Sequence, residues 1–268
     1  MPTISVITAV LDGVHQHLAA AYESLVQQDL PAGWDWQWVV QEDGRSGRPL
    51  AELPDDPRIS TGMGEHGRPA AARTLALSRA TGRLMLSLDA DDLLPVGALA
   101  RAITTLTRRP DLGWCVAPAL DLFPDGRLRF GPRDPASGPL PPGRLAAGEA
   151  SGLLPVVGGT LVTYTALVRA LGGWPAFTRD EDVALLLAVE AVAPGWMLAE
   201  PGLLYRQWPG STTASDPVDN RVPSAPSPAR QVFLERVDAL AQLGWRWPGN
   251  LVGRNLTRID RISAGAMR

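Results

Sequence analysis

The sequence contains no lysine, so all 25 of its formally cationic side chains are arginines. Schiff-base catalysis and a P-loop phosphate site both require lysine, so both are excluded. A single cysteine, Cys115, excludes an intrachain disulfide and a cysteine-cluster metal site, and it fits a reducing cytoplasm. The three histidines, His15, His17 and His66, are too few and too scattered for a typical zinc enzyme.

Long apolar runs are also missing. No stretch reaches the ~20 residues that a membrane span needs, and the richest segment, 183–192, is interrupted by Glu190. The N-terminus leads directly into an apolar strand without a signal-like segment, so we expect a cytoplasmic protein with no membrane span. A net charge of -3 provides no general attraction to nucleic acid, and no nucleic-acid partner is expected.

The order of apolar segments predicts an α/β fold with a largely parallel sheet. Strands are predicted at 4–11, 36–40, 84–88, 113–119, 156–164 and 195–205. Helices are predicted at 15–28, 69–80, 96–107, 165–171, 183–192 and 231–243. The segment 123–152, rich in Pro, Gly and Arg, is expected to be irregular or lid-like. The predicted organisation is one domain over 1–214, a Pro/Ser-rich linker over 215–230 and a helical extension over 231–268. The extension could pack on its own domain or on a second subunit, so a homodimer is possible.

Three carboxylates follow the predicted strand 84–88, at Asp89, Asp91 and Asp92. In an open parallel sheet, ligands bind just past the carboxyl ends of the strands. Carboxylates this close repel one another, and either a divalent cation or exposure to water relieves the repulsion. The pattern therefore predicts a site for a metal and a nucleotide. The alternative, in which Asp92 caps a helix opening near Leu93, accounts for only one of the three acids.

Two more acidic pairs are expected at the same edge of the sheet: Glu42 with Asp43 after a strand, and Glu181 with Asp182 before a helix. One acidic group could bind the metal and phosphates while another acts as a base. For Asp182 the alternative is a helix residue favoured by the helix dipole. Arg73 could pair with Asp43, reach a nucleotide phosphate, or form a surface salt bridge.

The order of these motifs resembles the inverting GT-A glycosyltransferases of family two. The matching segments are SVITAVLD (5–12), WVVQEDGRS (38–46), GRPAAARTLALSRATG (67–82), LSLDADD with its Asp-x-Asp motif (86–92) and LGGWPAFTRDED (171–182). Each motif alone is weak, but five in the family's order are a strong signal over roughly residues 3–213. The resemblance implies a GT-A fold, with a central, mostly parallel sheet flanked by helices.

The resemblance also implies roles for individual residues. By this resemblance, the nucleotide would be bound by Ala9, Val10, Asp43, Arg73, Asp89 and Ala90. Asp91 would bind Mg²⁺ or Mn²⁺, and Asp182 would be the general base with Glu181 as its neighbour at the acceptor. Trp174, in a Gly-rich loop before the base, is a further acceptor candidate because aromatic faces pack well on sugar rings, although a core role is the alternative.

The implied activity is transfer of a sugar from a UDP- or TDP-sugar to an acceptor hydroxyl or amine, with inversion and with help from a divalent metal. The acceptor would be a carbohydrate or a small molecule. Two alternatives are a sugar-phosphate nucleotidyltransferase, which the absence of lysine disfavours, and a non-catalytic module that binds nucleotide sugars. Trp208 stands where the family often has a metal-ligating histidine, so the metal would lose a protein ligand that water could replace. Either metal dependence would be weaker or the site would open more readily.

Overall fold

The computed structural model describes residues 1–131, 134–177, 179–209 and 228–249. In chain order its strands are β1 (Thr3–Val10), β2 (Asp35–Asp43), β3 (Ile59–Gly64), β4 (Leu84–Ser87), β5 (Trp114–Val116), β6 (Ala119–Leu122), β7 (Leu128–Phe130), β8 (Gly138–Leu140), β9 (Val162–Tyr164), β10 (Gly195–Met197) and β11 (Leu203–Arg206). Its helices are α1 (Leu18–Val26), α2 (Arg48–Ala51), α3 (Arg68–Leu77), α4 (Ala98–Arg108), α5 (Arg144–Ala150), α6 (Thr165–Ala170), α7 (Glu181–Val192) and α8 (Pro228–Gln242), with a 3₁₀ turn at Gly158–Thr160.

Eight strands form the central sheet in the order β3-β2-β1-β4-β9-β5-β10-β8, and β11-β6-β7 form a smaller sheet. The first four strands of the central sheet are parallel, as are β5 and β10, whereas β9 and β8 run antiparallel to their neighbours. The predicted α/β class with a mostly parallel sheet is confirmed. Because β1, β2 and β4 run parallel, the acidic residues that end β2 and those that follow β4 lie at one edge of the sheet.

The two helices that carry candidate site residues pack against this sheet. Helix α3 contacts β1 and β2, and it also contacts α7. Helix α7 is buried on nearly all sides, which agrees with its almost entirely apolar sequence. The outer side of α7 is covered by α8, which packs on α7 and α5 of its own chain.

The segment 123–152 was predicted to be irregular, and this is wrong, because it contains β7, β8 and α5. The buried Glu190 carboxylate of α7 accepts hydrogen bonds from the backbone N–H groups of Leu145 (2.8 Å) and Ala146 (2.9 Å), and so stabilises the start of α5. This contact joins residues 45 positions apart in the sequence, so local composition does not reveal it.

Two predicted strands, 113–119 and 195–205, are each divided between the two sheets. β5 and β10 pair in the central sheet, whereas β6 and β11 pair in the smaller sheet. Most of the predicted linker, 215–230, lies outside the described residues, as does the end of the predicted extension, 250–268. Helix α8 begins at Pro228, inside the range predicted for the linker. No helix among the residues placed by the structure has the length and apolar character needed to cross a membrane.

Candidate active site

Asp91 and Asp92, just past β4, are held by the end of β11. The indole Nε1 of Trp208 donates to Asp91 Oδ2 at 2.7 Å, and the backbone N–H of Arg206 donates to Asp92 Oδ1 at 2.8 Å. Asp92 is 2% exposed and does not cap a helix, because α4 begins only at Ala98. Burial raises the pKa of both carboxyl groups above the usual range. The capping interpretation of Asp92 is therefore wrong.

Arg73 joins the β4 edge to the start of α7. Its guanidinium donates through Nη2 to Asp89 Oδ1 and through Nη1 to Glu181 Oε1. Arg73 is 5% exposed, so the prediction of a surface salt bridge is wrong, and its partners are Asp89 and Glu181 rather than Asp43. Burial opposes the charge of Arg73, but Asp89, Glu181 and Asp182 outweigh burial and raise its pKa.

Asp182 lies in the first turn of α7, beside the 3₁₀ turn. Burial raises the pKa of Asp182 to about 6, an effect that the Arg73 charge reduces and the Glu181 carboxylate increases. A Cβ atom built on Gly158 would lie 2.4 Å from Asp182 Oδ2, so the carboxylate can occupy this position only because residue 158 is glycine. Sequence reasoning missed Gly158, since nothing local in the sequence connects it to a residue in α7.

The end of β2 supplies two carboxylates with different surroundings. Asp43 Oδ1 accepts a hydrogen bond from the Gly67 backbone N–H at 2.7 Å, and Oδ2 lies 2.9 Å from His66 Nδ1. Glu42 is fully buried and accepts from backbone N–H groups of the following loop, including that of Gly47 at 2.8 Å. Glu42 therefore shapes the loop, while Asp43 ties β2 to the start of α3. The contact with His66 was not predicted from the sequence.

The remaining predicted residues occupy two environments. Ala9 and Val10 end β1 at the same edge, next to β2, and Ala90 lies between the acids that follow β4. Trp174 is instead 4% exposed and belongs to the core, with its backbone N–H donating to Thr74 Oγ1 at 3.1 Å. In this position its ring presents almost no surface to an acceptor.

The side chains around Asp91 could supply only part of the coordination shell of a divalent cation. Trp208 donates to one of the two Asp91 oxygens, and Arg73 already engages Asp89. Within 1–131, 134–177, 179–209 and 228–249, no group of three or more His, Cys, Asp or Glu side chains is placed to hold a metal ion. Asp91 could therefore contribute to a cation only if the rest of the coordination shell came from substrate phosphate and water, an arrangement that Mg²⁺ commonly adopts.

Comparison with known families decides the assignment. The model of Glycosyl transferase family 2 matches residues 5–146, which is more than half of the chain. The chain belongs to glycosyl transferase family 2. The resemblance to family two seen in the sequence motifs is thereby confirmed. The matched region contains Asp43, Arg73, Asp89 and Asp91 and ends before α7, so the family match itself does not reach Asp182. No curated protein matches the chain.

Solved structures show that the family 2 chain has the expected GT-A architecture. The crystal structure of S. aureus TarS residues 1–349 matches with a TM-score of 0.61 at 17% identity, over 78% of this chain and 61% of that one. The same fragment in complex with UDP-GlcNAc matches with a TM-score of 0.63 at 16% identity, over 81% of this chain and 62% of that one. The chain thus spans about three fifths of the TarS fragment, and identity this low shows the fold alone.

Proposed function

We propose that this family 2 chain transfers a sugar from a UDP- or TDP-sugar to an acceptor hydroxyl or amine, with inversion at the anomeric carbon and with Asp182 as the general base. The observation that carries the proposal is the Arg73 bridge, which brings Asp89 at the β4 edge and Glu181 at the start of α7 to one site. The likeness in fold to TarS in complexes with UDP and UDP-GlcNAc supports a uridine nucleotide as the first donor to test.

The proposed reaction is a single displacement. The acceptor oxygen or nitrogen attacks the anomeric carbon, the bond from that carbon to the diphosphate oxygen breaks, and the electron pair leaves with the diphosphate. Asp182 accepts the acceptor proton, a role suited to a carboxylate whose pKa of about 6 leaves it mostly unprotonated near pH 7. Attack on the face opposite the diphosphate inverts the anomeric carbon.

The donor would lie along the edge formed by β1, β2 and β4. Asp43 accepts hydrogen bonds at the end of β2 and is suited to recognise N–H groups of the nucleotide base. Ala9, Val10 and Ala90 would border the nucleotide, with Asp89 facing the ribose or sugar. Arg73 was predicted to help hold the nucleotide; because it already donates to Asp89 and Glu181, we infer that it acts by orienting these carboxylates.

Asp91 would hold Mg²⁺ or Mn²⁺ together with the donor diphosphate. Such a cation offsets the negative charge that develops on the leaving group. The protein itself supplies Arg206, whose Nε donates to the Asp91 backbone carbonyl at 2.6 Å, so one guanidinium lies beside the predicted diphosphate position. Trp208 orients the Asp91 carboxylate through its indole N–H.

Replacing Trp208 with histidine is expected to raise Mn²⁺ affinity about tenfold in the presence of UDP. The change removes the indole N–H from Asp91 Oδ2 and introduces an imidazole that can ligate the metal. Free Mn²⁺ can be titrated by electron paramagnetic resonance, which does not depend on turnover. Trp245→His, at an exposed position outside the site, is the matched control. Equal affinity in wild type and Trp208→His would contradict the proposed place of the cation beside Asp91.

The rate of transfer is expected to fall about tenfold per pH unit below about pH 6 and to be level above it. The rate falls at low pH because only the unprotonated form of Asp182 accepts a proton, and the pKa of Asp182 is about 6. Initial rates of UDP release, measured at saturating donor over a range of pH, would show the fall in rate below about pH 6. A rate that is constant between about pH 5 and pH 7 would argue against Asp182 as the base.

A donor panel tests the function itself. UDP- and TDP-sugars are incubated with the protein, and release of the nucleoside diphosphate is measured with water or a panel of sugars and alcohols as acceptor. We expect release of UDP or TDP with formation of a free or transferred sugar. Pyrophosphate release from a nucleoside triphosphate and a sugar phosphate would instead indicate a nucleotidyltransferase. Donor binding without release or transfer would indicate a binding module.

A further inference from the structure

We propose that α8 is a positioning element for the general base: it holds residues 171–177 and 179–180, the segment that leads into Asp182, and so controls the rate of transfer without contacting the donor. The proposal rests on the proposed role of Asp182. Helix α8 lies beyond the region that matches the family, and it follows residues 210–227, which the structure does not describe.

Two side chains of α8 contact the segment near its beginning and near its end. Arg236 Nη2 donates to the backbone carbonyl of Leu171 at 2.7 Å. Phe233 is 1% exposed, and its ring packs edge-to-face on Phe177 with the centroids 4.4 Å apart. Helix α8 therefore fixes the segment at two points upstream of Asp182.

The backbone of this segment includes left-handed conformations. Gly172 and Gly173 have φ values of 83° and 80°, and Asp180 has a φ of 60°. Glycine adopts positive φ values freely, whereas a left-handed conformation carries an energetic cost for a non-glycine residue such as Asp180, so the surrounding structure helps to hold it there. The carbonyl of Asp180 accepts the Ala184 N–H at 2.9 Å, so a change at Asp180 would also move the first turn of α7 and Asp182.

A further ion pair fixes α8 relative to the helices around the site. Arg230 Nε lies 2.9 Å from Glu149 Oε1 of α5, and Glu149 is 3% exposed. The start of α5 is in turn stabilised by Glu190 of α7. Helices α5, α7 and α8 are thus connected by buried charged groups as well as by apolar packing, which favours a fixed orientation over a loosely packed cover.

The simpler interpretation is that α8 only shields the apolar side of α7. That interpretation predicts that weakening the α8 contacts lowers stability throughout the molecule and affects donor binding and turnover together. Positioning predicts a local effect on 171–182 and on kcat. Hydrogen exchange therefore distinguishes the structural role of α8 from the positioning role, and it does so without an assay of transfer.

The experiment compares Arg236→Gln with wild type, with Arg236→Lys as the conservative variant and Val232→Ala, at an exposed position of the same helix, as the control. In Arg236→Gln we expect faster amide exchange in peptides covering 171–182, with exchange in β1 and β4 unchanged. We expect kcat for UDP release from the donor sugar to fall by about tenfold to 100-fold, because small displacements of a reacting group are costly, with KM for the donor unchanged. Arg236→Lys should recover part of the loss, since a lysine can still donate to the Leu171 carbonyl. Phe233→Leu, which weakens the packing on Phe177, should give the same changes in amide exchange and kcat.

Unchanged exchange over 171–182 in both Arg236→Gln and Phe233→Leu, in proteins that remain folded, would overturn the proposal. So would a parallel change in kcat, KM, melting temperature and exchange throughout the sheet, which would leave α8 with a purely structural role. If the wild type releases no nucleotide from any donor, the proposed function fails, and the exchange data still decide whether α8 orders the segment.

Discussion

Asp182→Asn is expected to reduce transfer by about 10³-fold while leaving donor affinity within about twofold of wild type. The amide keeps the shape of the side chain but cannot accept the acceptor proton. Asp182 is in the first turn of α7 and has a pKa of about 6 because of burial. Rates of UDP release and the dissociation constant for UDP measure the two quantities separately.

The same variant should not be less stable than wild type. The pKa of Asp182 is higher in the folded protein, about 6, than its ordinary value of 3.8, so ionisation of this group opposes folding as pH rises from about 4 to 6 and above. Replacing the ionised carboxylate with a neutral amide near pH 7 is therefore expected to keep or raise the melting temperature. Asp180→Asn is the matched control, because asparagine tolerates the left-handed conformation at this position. Retained transfer in Asp182→Asn, or an equal loss in Asp180→Asn, would contradict the assignment of the base.

Arg73→Gln is expected to destabilise the protein by about 3–5 kcal/mol near pH 7, because it removes the cation from a buried group of carboxylates. Arg73 is 5% exposed and donates to both Asp89 and Glu181. Without its charge the pKa of Asp182 should also rise, because Arg73 is the main influence that lowers it, and the acid limb of the rate profile would move to higher pH. Urea unfolding and the pH dependence of UDP release measure the two effects.

A double variant tests whether the Arg73 effect comes from the carboxylates. Arg73→Gln combined with Glu181→Gln should recover part of the lost stability, since one of the uncompensated buried charges is then absent. Arg108→Gln, at an exposed position of α4, is the control for loss of an arginine. A loss below about 1 kcal/mol in Arg73→Gln would indicate that the pair behaves like an exposed salt bridge and would contradict the description of the site.

Local patterns were sufficient to predict the edge of the sheet formed by β1, β2 and β4. The apolar runs that became β1 and β4 are strands buried on both faces. Asp43 ends β2 and Asp89 follows β4, so the parallel arrangement places both at one edge of the sheet. The Asp-x-Asp motif, the Gly-rich loop before α3 and the acidic start of α7 were recognisable because each depends on neighbouring residues.

Features that depend on distant contacts could not be predicted. Arg73 and Glu181 are 108 residues apart, and Trp208 and Asp91 are 117 apart, so no spacing rule links them. Trp208 was recognised as a departure from the family pattern, but only the structure shows that its N–H binds Asp91. The segment 123–152 was misjudged for the same reason, because its helix is stabilised by Glu190 in α7.

The anomeric configuration of the first product tests the central proposal most directly. The α-linked UDP-sugar from which the donor panel shows release of UDP is incubated with the protein in water, and the released sugar is observed by proton nuclear magnetic resonance before its anomers equilibrate. A carboxylate base at Asp182 that activates the acceptor opposite the diphosphate predicts the β-anomer as the first product, and release about 10³-fold slower in Asp182→Asn. Release of the α-anomer by the wild type would contradict the single displacement, and with it the role assigned to Asp182.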